Sequence, residues 1–197
     1  MSYAILAERL SLSEQGRLRG AAERQARLRL AKKLAIDPKA AVDDNNPAII
    51  ARDADYVVDF VPAVTSVGLS GWRTMPLAVA GTLYSVFANN VPAALTPQVP
   101  NNQSWVFYGL DILGNDAAVH SVSFIQFGIG SAANRRAQFD LDGLYGGLAV
   151  SGYFSQPVVY DPQETATVMV RCDVPTGVGG RIRLMTLIAE PIQQTVI

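Results

Sequence analysis

Two textures divide this chain. From Leu12 to Ala35 the residues are Ala, Leu, Arg, Glu, Gln and Lys almost throughout, all strong helix formers. Ser11-Leu12-Ser13-Glu14 reads as a capping box, with Ser11 as N-cap and Glu14 at the third helical position. Asp37-Pro38 closes the run, because a residue before proline is pushed out of the helical region. The pattern predicts a helix of about 24 residues, about 36 Å long. Leu18, Ala22, Ala26, Leu30 and Leu34 follow an i, i+4 row of mostly small residues, while Leu12, Leu28 and Ala35 lie elsewhere. So thin a stripe is not expected to hold a helix on its own body. The segment therefore reads as a long N-terminal helical arm completed by a partner. Its expected contacts are Leu18, Leu30 and Leu34 with Arg17, Arg19, Arg24, Arg27 and Arg29.

After a polar stretch ending in Asp43-Asp44-Asn45-Asn46-Pro47, short runs rich in Val, Ile, Thr, Phe and Tyr take over. Strands are expected at Tyr56–Val61, Thr74–Ala88, Ser104–Leu113, Val119–Ile129, Leu144–Phe154, Thr165–Cys172 and Arg181–Ala189. Turn chemistry separates them, as in Asn89-Asn90-Val91-Pro92, Gly114-Asn115-Asp116 and Asp161-Pro162. In Thr165–Cys172 the later even positions are Val168, Val170 and Cys172, which is half-buried antiparallel behaviour. So many strands without a helical run among them imply a mainly β fold. An antiparallel β-sandwich of the jelly-roll type is expected, with an immunoglobulin-like sandwich as the alternative. The expected division is a basic helical arm over 1–36, a linker over 37–52 and the sandwich over 53–197. On that division, removing residues 1–40 should leave a folded body.

Charge sharpens the division. Residues 1–36 hold eight basic and three acidic side chains, a net of +5, whereas residues 37–197 sum to −6. The whole chain is close to neutral at −1, which argues against a general nucleic-acid binder. The arm itself is diluted by Glu8, Glu14 and Glu23, so nucleic acid is not the expected partner. Hydrophobic residues make up 49% of the 197, enough to exclude disorder throughout. No apolar run is long enough and free enough of charge to cross a bilayer as a helix. Met1 to Leu12 lacks a basic region ahead of an apolar run, so it reads as a poor signal peptide.

The chemistry-bearing residues are few. One Cys excludes a disulfide framework and a Cys-based zinc site within the chain. The one His, His120, has no oriented carboxylate and nucleophile supplied by any motif. Gly68-Leu69-Ser70-Gly71 lacks the spacing of a nucleophile elbow. Asp140-Leu141-Asp142-Gly143 opens like a calcium loop, but its twelfth position is Ser151 rather than Glu. Asp53, Asp55 and Asp59 mark the solvent face of an edge strand more simply than a glycosidase pair. The Gly-rich stretches 143–147 and 177–180 join no strand to a helix and read as turns. Arg135-Arg136 reads as a basic spot on a loop, and Cys172 as a buried apolar residue. No catalytic residue, cofactor or metal is expected, and the chain reads as a non-enzyme.

The helix Ser11–Ala35, the Asp43–Pro47 linker, the turn-rich block Asn89–Asn102 and the ending Tyr160-Asp161-Pro162-Gln163-Glu164-Thr165, with strands on to Pro191, form one layout. In this outline the chain resembles the jelly-roll cement, or decoration, proteins of tailed bacteriophage capsids. The resemblance implies a virion structural protein made in the host cytoplasm and placed on the outer capsid surface. It implies trimers that lock neighbouring major capsid proteins against internal DNA pressure, with the arm as tether. No membrane is involved. Two alternatives stand beside it. One is a shell-forming jelly-roll coat protein with a genome-facing basic arm. The other is a carbohydrate-binding sandwich, for which Trp72 and Trp105 offer the starting platform.

Overall fold

The capping box forms as the sequence predicts. In this computed structural model the Glu14 amide donates to Ser11 Oγ at 3.3 Å, and the Ser11 amide to Glu14 Oε2 at 2.8 Å. Hydrogen bonding from Ser11 holds the Glu14 carboxyl below its ordinary value. The structure describes residues 2–54, 73–74, 83–85, 98–113, 122–131, 134–141, 149–172 and 181–192. Helix α1 spans Leu12–Leu34 and stops at Ala35, which adopts the left-handed conformation at φ 54°. Asp37 then caps the short α2, Pro38–Ala41, with proline at its start.

The strands are β1 (Ser2–Leu6), β2 (Ile49–Asp53), β3 (Arg73–Thr74), β4 (Leu83–Ser85), β5 (Ser104–Leu113), β6 (Val122–Ile129), β7 (Arg135–Asp140), β8 (Ala149–Tyr160), β9 (Ala166–Cys172) and β10 (Arg181–Pro191). The chain is mainly β. The strands join in one sheet ordered β2-β10-β5-β8-β1-β7-β6-β9-β4, with β3 also beside β10. The sheet is mixed rather than antiparallel throughout, because β1 runs parallel to β7 while pairing antiparallel with β8.

That sheet is curled, as the aromatic contacts require. Phe107 on β5 and Phe127 on β6 stand four strand places apart, about 19 Å in a flat sheet. Their ring centroids are 5.4 Å apart. Phe127 also meets Phe154 of β8 at 5.4 Å, and Phe139 of β7 stacks on Phe154 at 4.3 Å. The inner faces of the two halves thus enclose one apolar core. Trp105, Phe107, Leu110 and Ile112 all point into it from β5. This sequence of inward positions changes phase at a bulge between Phe107 and Gly109, where β5 holds one extra residue against Met185 and Thr186 of β10. Gly109 is required there: a Cβ would lie 2.5 Å from the Gly152 carbonyl oxygen and 2.7 Å from Met185 Sδ.

Tyr160 ties the halves together. Its buried hydroxyl donates to the Gly128 carbonyl on β6 at 2.8 Å. Burial pushes its phenol well above the ordinary tyrosine value. Tyr160→Phe removes this buried hydrogen bond, and a loss of about 1–2 kcal/mol in urea unfolding is expected. The raised folded-state value also sets a pH dependence. The contribution is complete below about pH 10, the unfolded tyrosine value, and falls as pH rises through the folded one. Tyrosinate absorbance should therefore show Tyr160 ionising above the ordinary tyrosine range, with the alkaline step in stability missing in Tyr160→Phe.

The expected division of the chain is corrected. Residues 2–6 are a central strand, not part of an arm, and Ile49 inside the expected linker is completely buried. Helix α1 does not project. Ala22, Ala26, Leu30 and Ala31 are buried in a second core against Ile49, Val106, Val159, Leu187 and Ala189 on the outer face of the sheet. A thin stripe suffices because the small alanines let the helix approach the strands closely. The expected strand Tyr56–Val61 lies outside the described residues, as does most of Thr74–Ala88. Strands β1, β2 and β7 were not expected, and Arg135-Arg136 opens β7 rather than a loop.

Candidate functional site

Docking of α1 sorts its side chains into two groups. On the inner side Leu30 is completely buried, and Leu34 packs half-buried against the same core. Leu18 is half-buried. Two of the three apolar residues of the expected partner contact, Leu30 and Leu34, therefore face this chain's own sheet.

Three of the five arginines are engaged within the molecule. Arg19 Nη2 donates to Asp53 Oδ1 at 3.3 Å, and Arg19 Nη1 lies 3.7 Å from Glu23. Arg27 pairs with Glu23 one turn earlier. Arg29 Nη1 donates to Asp161 Oδ2 at 3.0 Å. Arg17 and Arg24 are exposed and, among the described residues, make no ion pair within 4.0 Å. Lys32 joins them as an exposed cation in the same state.

An open groove of about 820 Å³ runs along this outward side. Four cations line it, Arg24, Arg29, Lys32 and Lys33, against one carboxylate, Asp161, for a formal charge of +3. Ala21 and Leu28 add apolar surface. A smaller hollow of about 260 Å³ on the other flank shares Arg24 and brings in Arg27, Glu23 and Asp44.

Asp161 anchors the groove wall. Its side chain is 9% exposed, with Arg29 at 3.0 Å and Lys33 at 3.9 Å from Oδ2. Its amide donates to Glu164 Oε2 at 2.8 Å, and the same oxygen accepts from Arg136 Nη1 at 2.6 Å. The Arg136 guanidinium in turn lies 5.3 Å from the centroid of the Tyr160 ring. The loop after β8 is thus held to β7 and β8, and through Asp161 it holds two cations of α1 in place. Asp161 Oδ1 is buried without a hydrogen-bond partner, so the carboxylate leans on those cations.

The remaining candidates distribute as follows. Asp53 ends β2 and pairs with Arg19, while Asp55 and Asp59 lie outside the described residues. Asp140 ends β7 and Leu141 is buried behind it; Asp142 and Gly143 lie outside. His120, residues 68–71, 143–147 and 177–180 also lie outside. Cys172 ends β9. Trp105 is 1% exposed with Nε1 donating to Gln103, so it offers no sugar platform, and Trp72 is outside the described residues. Among the described residues no three His, Cys, Asp or Glu side chains gather as a metal set, and no helix is long and apolar enough to cross a membrane.

Lys32, Lys33, Leu28 and Asp161 were missed as site residues. The row Arg24-Leu28-Lys32 at i, i+4 spacing carried a local signal. Asp161 carried none, since it reaches Arg29 across 132 positions.

No family model matches the chain, and no curated protein matches it significantly. Among solved structures it is similar to the K1 cleaved adhesin domain of Lys-gingipain from Porphyromonas gingivalis W83, with 14% identity and a TM-score of 0.28. That alignment covers 72% of this chain and 98% of that one. It is also similar to the xylan-binding module CBM15, with 9% identity and a TM-score of 0.28, covering 73% of this chain and 97% of that one.

Proposed function

We propose that this chain is a non-catalytic structural protein that binds an acidic protein surface through the outward face of α1. Its setting, on this reading, is that of a cement protein on a phage capsid. The protein acts as a homotrimer on the outer shell and bridges neighbouring major capsid proteins. The curled sheet serves as a rigid block of the sandwich, jelly-roll kind. The tether is the outer face of a docked helix instead of a projecting arm. One observation carries the reading: Arg17, Arg24 and Lys32 stand exposed without an ion pair among the described residues, on a helix whose other side is locked into a core. The helix backbone that carries these cations is already ordered by the fold, so an acidic surface binds them at the cost of side-chain ordering alone.

Sedimentation of the purified protein, read at the nucleic-acid and protein absorbance bands, is the first test. A discrete nucleic-acid-free trimer is expected. Large particles carrying nucleic acid would replace this reading with a shell-forming coat protein whose helix faces the genome. The second test is binding of poly-L-glutamate. At up to about 1 kcal/mol per exposed pair, the triple change Arg17→Glu, Arg24→Glu and Lys32→Glu should weaken it about tenfold or more. Unchanged binding would remove the helix face from the function.

A further inference from the structure

We infer that the groove beside α1 is a binding site for an extended acidic peptide segment with two carboxylates four residues apart around an apolar residue. This rests on the proposed acidic partner and specifies the part of it that is read.

Spacing supplies the first argument. Arg24 and Lys32 are eight residues apart on one helix, about 12 Å along the axis. An extended chain rises about 3.3 Å per residue, so the same length spans about four residues. Leu28 lies midway between the two cations, half-buried and lining the groove. A segment of the form acidic-x-apolar-x-acidic therefore places one carboxylate on each cation and its central side chain on Leu28.

Asp161 supplies the second argument, because it decides which cations remain available. It holds Arg29 at 3.0 Å and Lys33 at 3.9 Å, leaving Arg24 and Lys32 as the unpaired charges of the groove. The same carboxylate disfavours a polyphosphate backbone, whose continuous charge would lie against it. A peptide with two separated carboxylates leaves the Asp161 side of the groove free of like charge. The mixture of apolar and cationic lining also fits a peptide better than a nucleic-acid strand, which would need a continuous track of cations or stacking aromatics.

The test uses a fluorescently labelled, end-blocked pentapeptide, Glu-Ser-Leu-Ser-Glu, in anisotropy titrations against the full chain. A pentapeptide of the same composition with its two Glu adjacent is the spacing control. The spaced peptide should bind about fivefold tighter than the control. Leu28→Ser should erase that advantage, and Leu28→Met should keep it. Lys32→Glu should weaken both peptides, and circular dichroism should show α1 intact in every variant. Equal binding of the two peptides, or indifference to Leu28→Ser, would overturn the groove proposal while leaving the acidic-partner reading standing if poly-L-glutamate still binds. Failure of both peptides and poly-L-glutamate would overturn both. A duplex DNA oligonucleotide that displaces the spaced peptide and ignores Leu28→Ser would assign the groove to phosphate instead.

Discussion

A chain lacking residues 1–40 is expected not to fold. The truncation removes β1, and β1 is the strand through which the half containing β5, β8 and β10 joins the half containing β6, β7 and β9. Ala4, Ile5 and Leu6 pair with Phe154, Tyr153 and Gly152, while Ser2 and Tyr3 pair with Phe139 and Asp140. Without them β8 and β7 are left as open edges at the centre of the sheet, which invite aggregation. The same truncation strips α1 from the outer face and exposes Ile49, Val106, Val159 and Leu187. At about 1.5–3 kcal/mol for each large side chain, that exposure alone approaches the 5–15 kcal/mol margin of an ordinary domain. Near-ultraviolet circular dichroism and a urea titration decide the matter. Absence of a cooperative transition is expected; a midpoint near that of the full chain would show that the sheet closes without β1. Removing residues 1–6 alone separates the strand from the helix and should still abolish cooperativity.

The second large effect is expected at Phe127. Its ring meets Phe107, Phe139 and Phe154, drawn from β5, β7 and β8, and it is completely buried. Phe127→Ala should cost about 3–5 kcal/mol, from lost burial and the cavity left behind. For a chain of this size that lowers Tm by roughly 6–20 °C. The change reports on the curl itself, because in a flat sheet Phe127 would touch neither Phe107 nor Phe154. A loss below about 1 kcal/mol would mean that the two halves do not close on each other. Leu12→Ala provides a surface control, since Leu12 is 85% exposed.

The packing of α1 decides which of its residues can serve a partner. By pattern alone, its row of Leu18, Ala22, Ala26, Leu30 and Leu34 is too thin to bury against the body, because a surface helix usually presents a broad apolar face. The facing sheet supplies the missing width through Val106, Val159, Leu187 and Ala189. Once the inner face is occupied, only the outer residues remain for a partner. Three of the five arginines named as contacts are drawn into internal ion pairs, and Arg24 and Arg17 stay available.

What the sequence determined by itself is local. The capping box and the helix-forming composition set both ends of α1 to within a residue. Composition and alternation located β5 at its full length and β6, β9 and β10 to within a few residues. The charge asymmetry between residues 1–36 and the rest likewise needed no structure. Tertiary structure decided the rest. Five residues at β1 carry too little pattern to announce a strand, and their partners, Phe139 and Phe154, lie well over a hundred positions away. Strand β7 opens with two arginines and pairs through its backbone, which side-chain pattern does not report. Asp161 meets Arg29 and Lys33 only because the curl of the sheet and the docking of α1 bring a loop and a helix together. Backbone pairing and ion pairing between distant segments depend on where the chain returns in space, and local periodicity holds no record of that return.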